Sequence, residues 1–245
     1  MDSVPRALVI IPARNEATRI PGVIGSIRQN LPGCEILVVE DGSTDDTVDG
    51  VRSTGARIVT LPINLGYGGA IRTGFHYARS KKYDCAITMD ADGQHDPADL
   101  PTIVNALIQD GNDLVIGSRF LGEATYSIPI TRRLGMLLFS LITSAVVGKK
   151  ITDTTCGFMG VSSRALPVVA EFCATDFPNA ELICIVSTNG FKVQEVPIRI
   201  HDREGGKSMF TFWKSLYYPF KLLLAISMVL LRNKARIRPP LAEGE

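Results

Sequence analysis

Ala86-Ile87-Thr88-Met89-Asp90-Ala91-Asp92-Gly93-Gln94-His95-Asp96-Pro97 begins as a short apolar strand and ends as an acidic turn closed by Gly93 and Pro97. Side chains alternate along an extended backbone, so Asp90 and Asp92 are expected to face one side, with Gln94 next in the row. Carboxylates held close raise each other's pKa unless a cation sits between them, and hard oxygen donors suit Mg²⁺ or Mn²⁺. The same stretch also reads as an ordinary helix start, with Asp96 as cap and Pro97 in first position.

Apolar runs and helical segments alternate on both sides. Ala7–Ile11 is a continuous aliphatic run, as in a parallel strand covered on both faces, and it ends in Pro12-Ala13-Arg14-Asn15-Glu16. Pro21 opens a helix. Glu35–Val39 is a second strand ending in Glu40-Asp41-Gly42-Ser43-Thr44, where Ser43 or Thr44 ahead of Asp45 and Asp46 marks a helix start. Arg57–Leu61 is a third strand, and Asn64-Leu65-Gly66-Tyr67-Gly68-Gly69 leads into a helix over Ala70–Ser80. A helix over Pro97–Gln109 and a strand over Asp113–Ile116 follow, the strand ending in Gly117-Ser118-Arg119. The order calls for an α/β fold with a mostly parallel, doubly wound sheet. Each polar tip follows a strand, so the tips line the carboxyl edge, where open α/β sheets bind ligands. Gly66-x-Gly68 lacks the spacing of the dinucleotide fingerprint and reads equally well as a tight turn.

At 245 residues the chain can bury one sizeable core, and its formal charge of +1 argues against a nucleic-acid partner held by a basic surface. Cys34, Cys85, Cys156, Cys173 and Cys184 have neither zinc nor disulfide spacing and read as reduced core thiols. Residues 1–6 lack a secretory pattern, so the body of the chain is expected to face the cytoplasm. Ile130–Val147 is a greasy helix between Arg132-Arg133 and Lys149-Lys150, so it either lies at a bilayer interface or is buried. Asp153–Phe158 reads as a polar turn, Asn179–Thr188 as a helix, Lys192–Ile200 as a strand and His201–Ser208 as a charged loop. Residues 210–231 mix aromatics with the apolar run Leu222–Leu231 and lead to Arg232, Lys234, Arg236 and Arg238. That run falls short of the roughly 20 residues needed to span a bilayer. An interfacial amphipathic helix with a basic flank, or a helix buried between subunits, satisfies the pattern.

Taken in order, Pro12–Glu16, Glu40–Asp45, Asn64-Leu65-Gly66, Asp90–Pro97 and Gly117-Ser118-Arg119 resemble the family 2 glycosyltransferases, and more narrowly the dolichol-phosphate mannosyltransferase, or polyprenyl-phosphate glycosyltransferase, group. The resemblance spans residues 6–210 and implies a nucleotide-diphospho-sugar transferase (GT-A, Rossmann-like) fold with C-terminal interfacial helices. It implies a catalytic domain over 1–209 and an amphipathic membrane-associating helix with a basic tail over 210–245. Pro12, Arg14, Glu16, Val39, Asp41, Asp90 and Ala91 would hold the nucleotide, Asp41 meeting the base, and Asp90, Asp92 and Gln94 would bind the Mg²⁺ or Mn²⁺. Ser118, Arg119, Arg132, Arg133, Arg203 and Ser208 would grip the acceptor phosphate, guanidinium forks matching phosphate oxygens. Asp92, Arg119 and Arg203 would be catalytic. The chain departs from the group at Tyr67, where many relatives have lysine, at Met159, where arginine is usual, and at Met209, where a lysine closes the Arg-x-x-Gly-x-Ser-Lys pattern.

The implied reaction is inverting attack of a polyprenyl-phosphate oxygen on a nucleotide sugar, GDP-mannose first and UDP-glucose next, at the inner membrane face. A phosphate acceptor is already an anion and needs no strong base, so positioning and metal stabilisation of the leaving diphosphate carry the rate. A sugar-hydroxyl acceptor would instead require a carboxylate base, for which Asp176 and Glu181 are candidates that also read as a helix cap and acidic first turn. A nucleotide-binding membrane scaffold without turnover is the reading from another class.

Overall fold

A computed structural model describes residues 5–122, 130–174 and 179–201 together with Leu224, and the side chains of 135–174 within the second of these ranges. The strands are β1 (Ala7–Ala13), β2 (Glu35–Glu40), β3 (Arg57–Thr60), β4 (Cys85–Thr88), β5 (Leu114–Ser118), β6 (Met159–Ser162) and β7 (Val193–Pro197). The helices are α1 (Ile20–Asn30), α2 (Thr47–Ser53), α3 (Tyr67–Ser80), α4 (Leu100–Ile108), α5 (Ile130–Val147), α6 (Leu166–Phe172) and α7 (Asn179–Thr188). The strands form one sheet in the order β3-β2-β1-β4-β6-β5-β7.

β1 shows why its sequence is apolar without alternation. Val9 and Ile11 join the core on one face, with Ile24 and Ile27 of α1, while Leu8 and Ile10 join Ile71 and Phe75 of α3 on the other. Both faces are covered, so both parities must be apolar.

β6, which the sequence reading took no further than a turn, runs antiparallel to both β4 and β5. Gly160 in its middle reads as a strand breaker, yet a Cβ there would collide with Ile103 and Leu107 of α4. The glycine is what lets that helix close on the sheet.

Other boundaries shift for local reasons. α2 starts at Thr47, not at Ser43 or Thr44, because the Asp45 carboxylate takes the Thr47 N–H and hydroxyl. β7 stops at Pro197, after which Arg199 N–H donates to Asp99 (2.7 Å) and Ile200 bridges to His95, so the chain leaves the sheet for the acidic turn. α5 is buried along one face and exposed along another. Phe139 packs against Ala180 and Cys184 of α7, whereas Leu137, Leu138 and Leu141 are 55%, 47% and 60% exposed.

Candidate active site

Every strand but β6 points the same way, so the ends of β1, β2, β4, β5 and β7 share one edge with the start of β6. β1 has β2 on one side and β4 on the other, which makes the β1/β4 boundary the switch point where such sheets bind ligands. The antiparallel β6 matters here, because it brings the turn Asp153–Phe158 to this edge.

After β1, Pro12 is half-buried and Arg14 exposed. Asn15 adopts a left-handed backbone (φ 57°) that few residues other than glycine tolerate. It joins the first two tips: its N–H donates to Ser43 Oγ (3.0 Å) and its Oδ1 accepts the Thr44 N–H (2.8 Å). The Glu16 carboxylate meets Arg19 at 2.6 Å. Asp41, 5% exposed, accepts the N–H groups of Leu65 (2.6 Å) and Gly66 (2.9 Å), so its first structural job is to hold the glycine loop. Val39 and Ala91 are buried in the core, and the Val39 backbone is engaged in the β1–β2–β3 ladder.

The acidic turn also corrects the expectation that pleat parity aligns its ligands. β4 ends at Thr88, and residues 91–93 turn with Gly93 at φ 77°. Asp92 takes the Gln94 N–H on Oδ1 (3.1 Å), and Asp96 caps the following 3₁₀ turn by accepting the Ala98 N–H (2.9 Å). The cap and the candidate metal ligands are therefore different residues of one turn. His95 closes it from behind: buried and stacked on Phe158 (5.1 Å), it accepts the Asp90 N–H on Nδ1 (3.3 Å). Burial first, then the Asp90 charge and a hydrogen bond to Asp90, push the Tyr67 hydroxyl well above its ordinary pKa. A Cβ on Gly157 would lie 3.2 Å from both Asp90 oxygens and would collide with Tyr67 Oη. Among the described residues no three His, Cys, Asp or Glu side chains gather as a metal cluster, so the candidate set is two carboxylates and the Gln94 amide.

At the β5 end, Arg119 donates from Nε (2.6 Å) and Nη2 (2.8 Å) to Asp153 and from Nη2 to Thr155 Oγ1 (2.6 Å). Glu195 of β7 takes the N–H groups of Thr152 and Asp153 (both 2.8 Å). Ser118, expected to meet the acceptor, is fully buried with its hydroxyl on Thr152 Oγ1 (2.7 Å). The backbone of Arg132 and Arg133 lies in α5, Glu181 is in the first turn of α7, and Asp176, Arg203 and Ser208 lie outside the described residues. Asp153, Glu195, Tyr67 and His95 went unassigned from sequence. A polar run re-entering after a greasy helix was the available signal for Asp153, and a phenol beside a glycine loop for Tyr67.

The family model "Glycosyl transferase family 2" matches residues 8–168. An undecaprenyl-phosphate mannosyltransferase of Micrococcus luteus is 32% identical over 213 residues, 83% of this chain and 86% of the relative. A UDP-N-acetylglucosamine–dolichyl-phosphate N-acetylglucosaminyltransferase of Methanococcus voltae is 31% identical over 78% of this chain and 84% of its own. Glucosyl-3-phosphoglycerate synthase of Mycobacterium tuberculosis, solved with Mn²⁺, UDP and product, superposes with a TM-score of 0.63 at 19% identity, over 94% of this chain and 80% of that one, a likeness of fold. On the family match and these identities, the chain belongs to glycosyl transferase family 2 and is a glycosyltransferase of GT-A fold.

Proposed function

We propose that this chain transfers a sugar, with inversion, from a nucleotide sugar to the phosphate of a polyprenyl lipid, with mannose from GDP-mannose as the donor. The observation that carries this reading is the convergence at one switch point of the Asp41-held glycine loop, the Asp90–Gln94 turn and the Arg119–Asp153 pair. Relatives above 30% identity over most of the chain bear names of transfer to undecaprenyl or dolichyl phosphate, and one more, a polyprenol monophosphomannose synthase of Mycolicibacterium smegmatis, is again a mannose enzyme.

In this reading an acceptor phosphate oxygen forms a bond to the anomeric carbon as the bond to the diphosphate breaks on the opposite face, releasing the nucleoside diphosphate. Arg14, Glu16 and Asp41 serve the nucleoside, Asp41 through lone pairs beyond the two N–H bonds it already takes. Arg119 and Arg203, with Arg132 or Arg133 and Ser208, place the acceptor phosphate. Asp90, Asp92 and Gln94 fit a divalent ion by the chemistry of the set, two carboxylates and an amide carbonyl, all hard oxygen donors within one turn. These three residues would hold Mg²⁺ or Mn²⁺, whose charge would offset that developing on the leaving diphosphate.

No helix among the described residues is long and apolar enough to cross a membrane. The exposed Leu137, Leu138 and Leu141 of α5, with the amphipathic segment 210–245, are assigned to the bilayer surface where the acceptor lies, on the inner face. The test is transfer of radiolabel from GDP-mannose, in parallel with UDP-glucose, into organic-extractable polyprenyl phosphate with and without Mn²⁺ or Mg²⁺. Metal-dependent label in the lipid phase is expected from GDP-mannose. Label confined to water-soluble product, or none while nucleotide still binds, overturns the lipid-phosphate reading.

A further inference from the structure

Residues 65–67 form a short bridge between two carboxylates on neighbouring parts of the site. At its start, Leu65 and Gly66 donate both backbone N–H groups to Asp41, which is buried at the end of β2. At its end, Tyr67 opens α3 and sets its hydroxyl beside Asp90, beyond the end of β4: a Cβ on Gly157 would meet Tyr67 Oη and both Asp90 oxygens at once. The phenol has little room to leave. Its ring packs against the core beneath α3, and the backbone of residue 157 comes so close that only a residue without a Cβ fits beside Tyr67 Oη and the two Asp90 oxygens. Gly157 is itself held, its carbonyl accepting from buried Thr88 Oγ1 (2.6 Å) at the end of β4.

Three segments distant in sequence thus meet at the Tyr67 hydroxyl. A tyrosine hydroxyl is protonated at neutral pH and donates one hydrogen bond. Given to a carboxylate, that bond fixes the carboxylate's orientation without cancelling its charge. Partners of this kind behind a metal ligand are worth about 10- to 100-fold in metal affinity or activity.

We propose that Tyr67 is a positioning residue that orients Asp90 for the divalent cation and, through the loop held by Asp41, couples nucleotide binding to cation binding. The proposal rests on the reading of Asp90, Asp92 and Gln94 as the cation site. Coupling between two ligands is reciprocal, so loss of the phenol lowers the help that cation gives nucleotide as much as the help that nucleotide gives cation.

The experiment is a Mn²⁺ titration of full-length wild type and Tyr67→Phe, without nucleotide and with GDP or UDP, read as free Mn²⁺ by electron paramagnetic resonance, with metal-free GDP binding by calorimetry and circular dichroism on the same samples. Expected for Tyr67→Phe is a wild-type spectrum, an unchanged Kd for GDP without metal, and a Kd for Mn²⁺ weakened about 10-fold or more when GDP is present. A merely structural role would instead move the spectrum or the metal-free GDP affinity. Wild type that takes up Mn²⁺ with GDP, beside Tyr67→Phe that takes it up equally well, overturns the positioning role alone. Wild type that takes up no Mn²⁺ overturns the cation site and this proposal with it.

Discussion

The two sides of the switch point hold their charged groups by different means. On the β1–β2–β4 side Glu16 meets Arg19, but the acidic tips nearer the switch point have neutral donors beside them: the Leu65 and Gly66 N–H groups at Asp41, the Gln94 N–H at Asp92 and the Tyr67 hydroxyl next to Asp90. Neutral donors orient a carboxylate and leave its charge in place, so this side stays attractive to a cation. On the β5–β6–β7 side the guanidinium of Arg119, 13% exposed, lies on the fully buried Asp153, and each charge compensates the other. The first arrangement stores a charge for a ligand, and the second fixes a cation in place by a counter-charge. Removing charge should therefore cost activity on one side and stability on the other.

The largest effect is expected on the compensated side. Asp153→Ala strands Arg119 at a site with little solvent and also removes the acceptor for the Thr155 N–H (3.1 Å). Breaking a buried pair from one end costs about 3–5 kcal/mol. Urea unfolding should show a midpoint lowered to match with the slope unchanged. A loss below about 1 kcal/mol would mean that water reaches the pair and that the contrast between the two sides is false.

Asp92→Asn comes next and should act in the opposite currency. The amide keeps the size and can still accept the Gln94 N–H, but the charge is gone. A fall in kcat of roughly 10²–10³ is expected, the scale of losing one electrostatic contact to a transition state, with the unfolding midpoint unchanged. Equal falls in stability and activity would make Asp92 a structural carboxylate like Asp153.

What could be read from the sequence follows the same division. Long apolar runs made the parallel strands legible, because a strand covered on both faces has little choice of residue. β6 escaped because Met159-Gly160-Val161-Ser162 is short and carries a glycine whose reason is the tight approach of α4, a tertiary fact. Asp41, Asp90 and Asp92 were visible as acidic tips after strands, and the structure gathers them at one edge. Their geometry was not visible: the turn at 91–93 replaces the pleat, and the ties from Leu65, Gly66, Tyr67 and His95 come from elsewhere in the chain. Ser118 and Val39 look like edge residues in sequence and are core residues in three dimensions, since polarity or position at a strand end does not report which way a side chain turns.

A third carboxylate–arginine pair, remote from the site, sharpens the comparison and carries the smallest expected effect. Asp113 is buried, but its partner Arg164 has a side chain 65% exposed (2.7 Å), so the pair sits between the two extremes. Burial pushes the Asp113 carboxyl up, yet the Arg164 guanidinium, the Lys192 N–H and the Ser162 hydroxyl outweigh it and hold the group below the ordinary aspartate range. A carboxyl whose pKa is lower folded than unfolded contributes stability above the unfolded pKa, about 3.9, and loses it as pH falls through the folded value. Arg164→Met removes the largest of the lowering interactions and leaves the Lys192 N–H and Ser162 hydroxyl. Because the guanidinium is largely in water, the loss at neutral pH should stay under about 1 kcal/mol and shrink in high salt. The variant's stability should also fall less steeply than wild type's below pH 4, the two curves converging in acid. Parallel curves would show that the backbone and hydroxyl donors alone set the Asp113 proton affinity, and that an exposed arginine, unlike Arg119, does not tune its carboxylate.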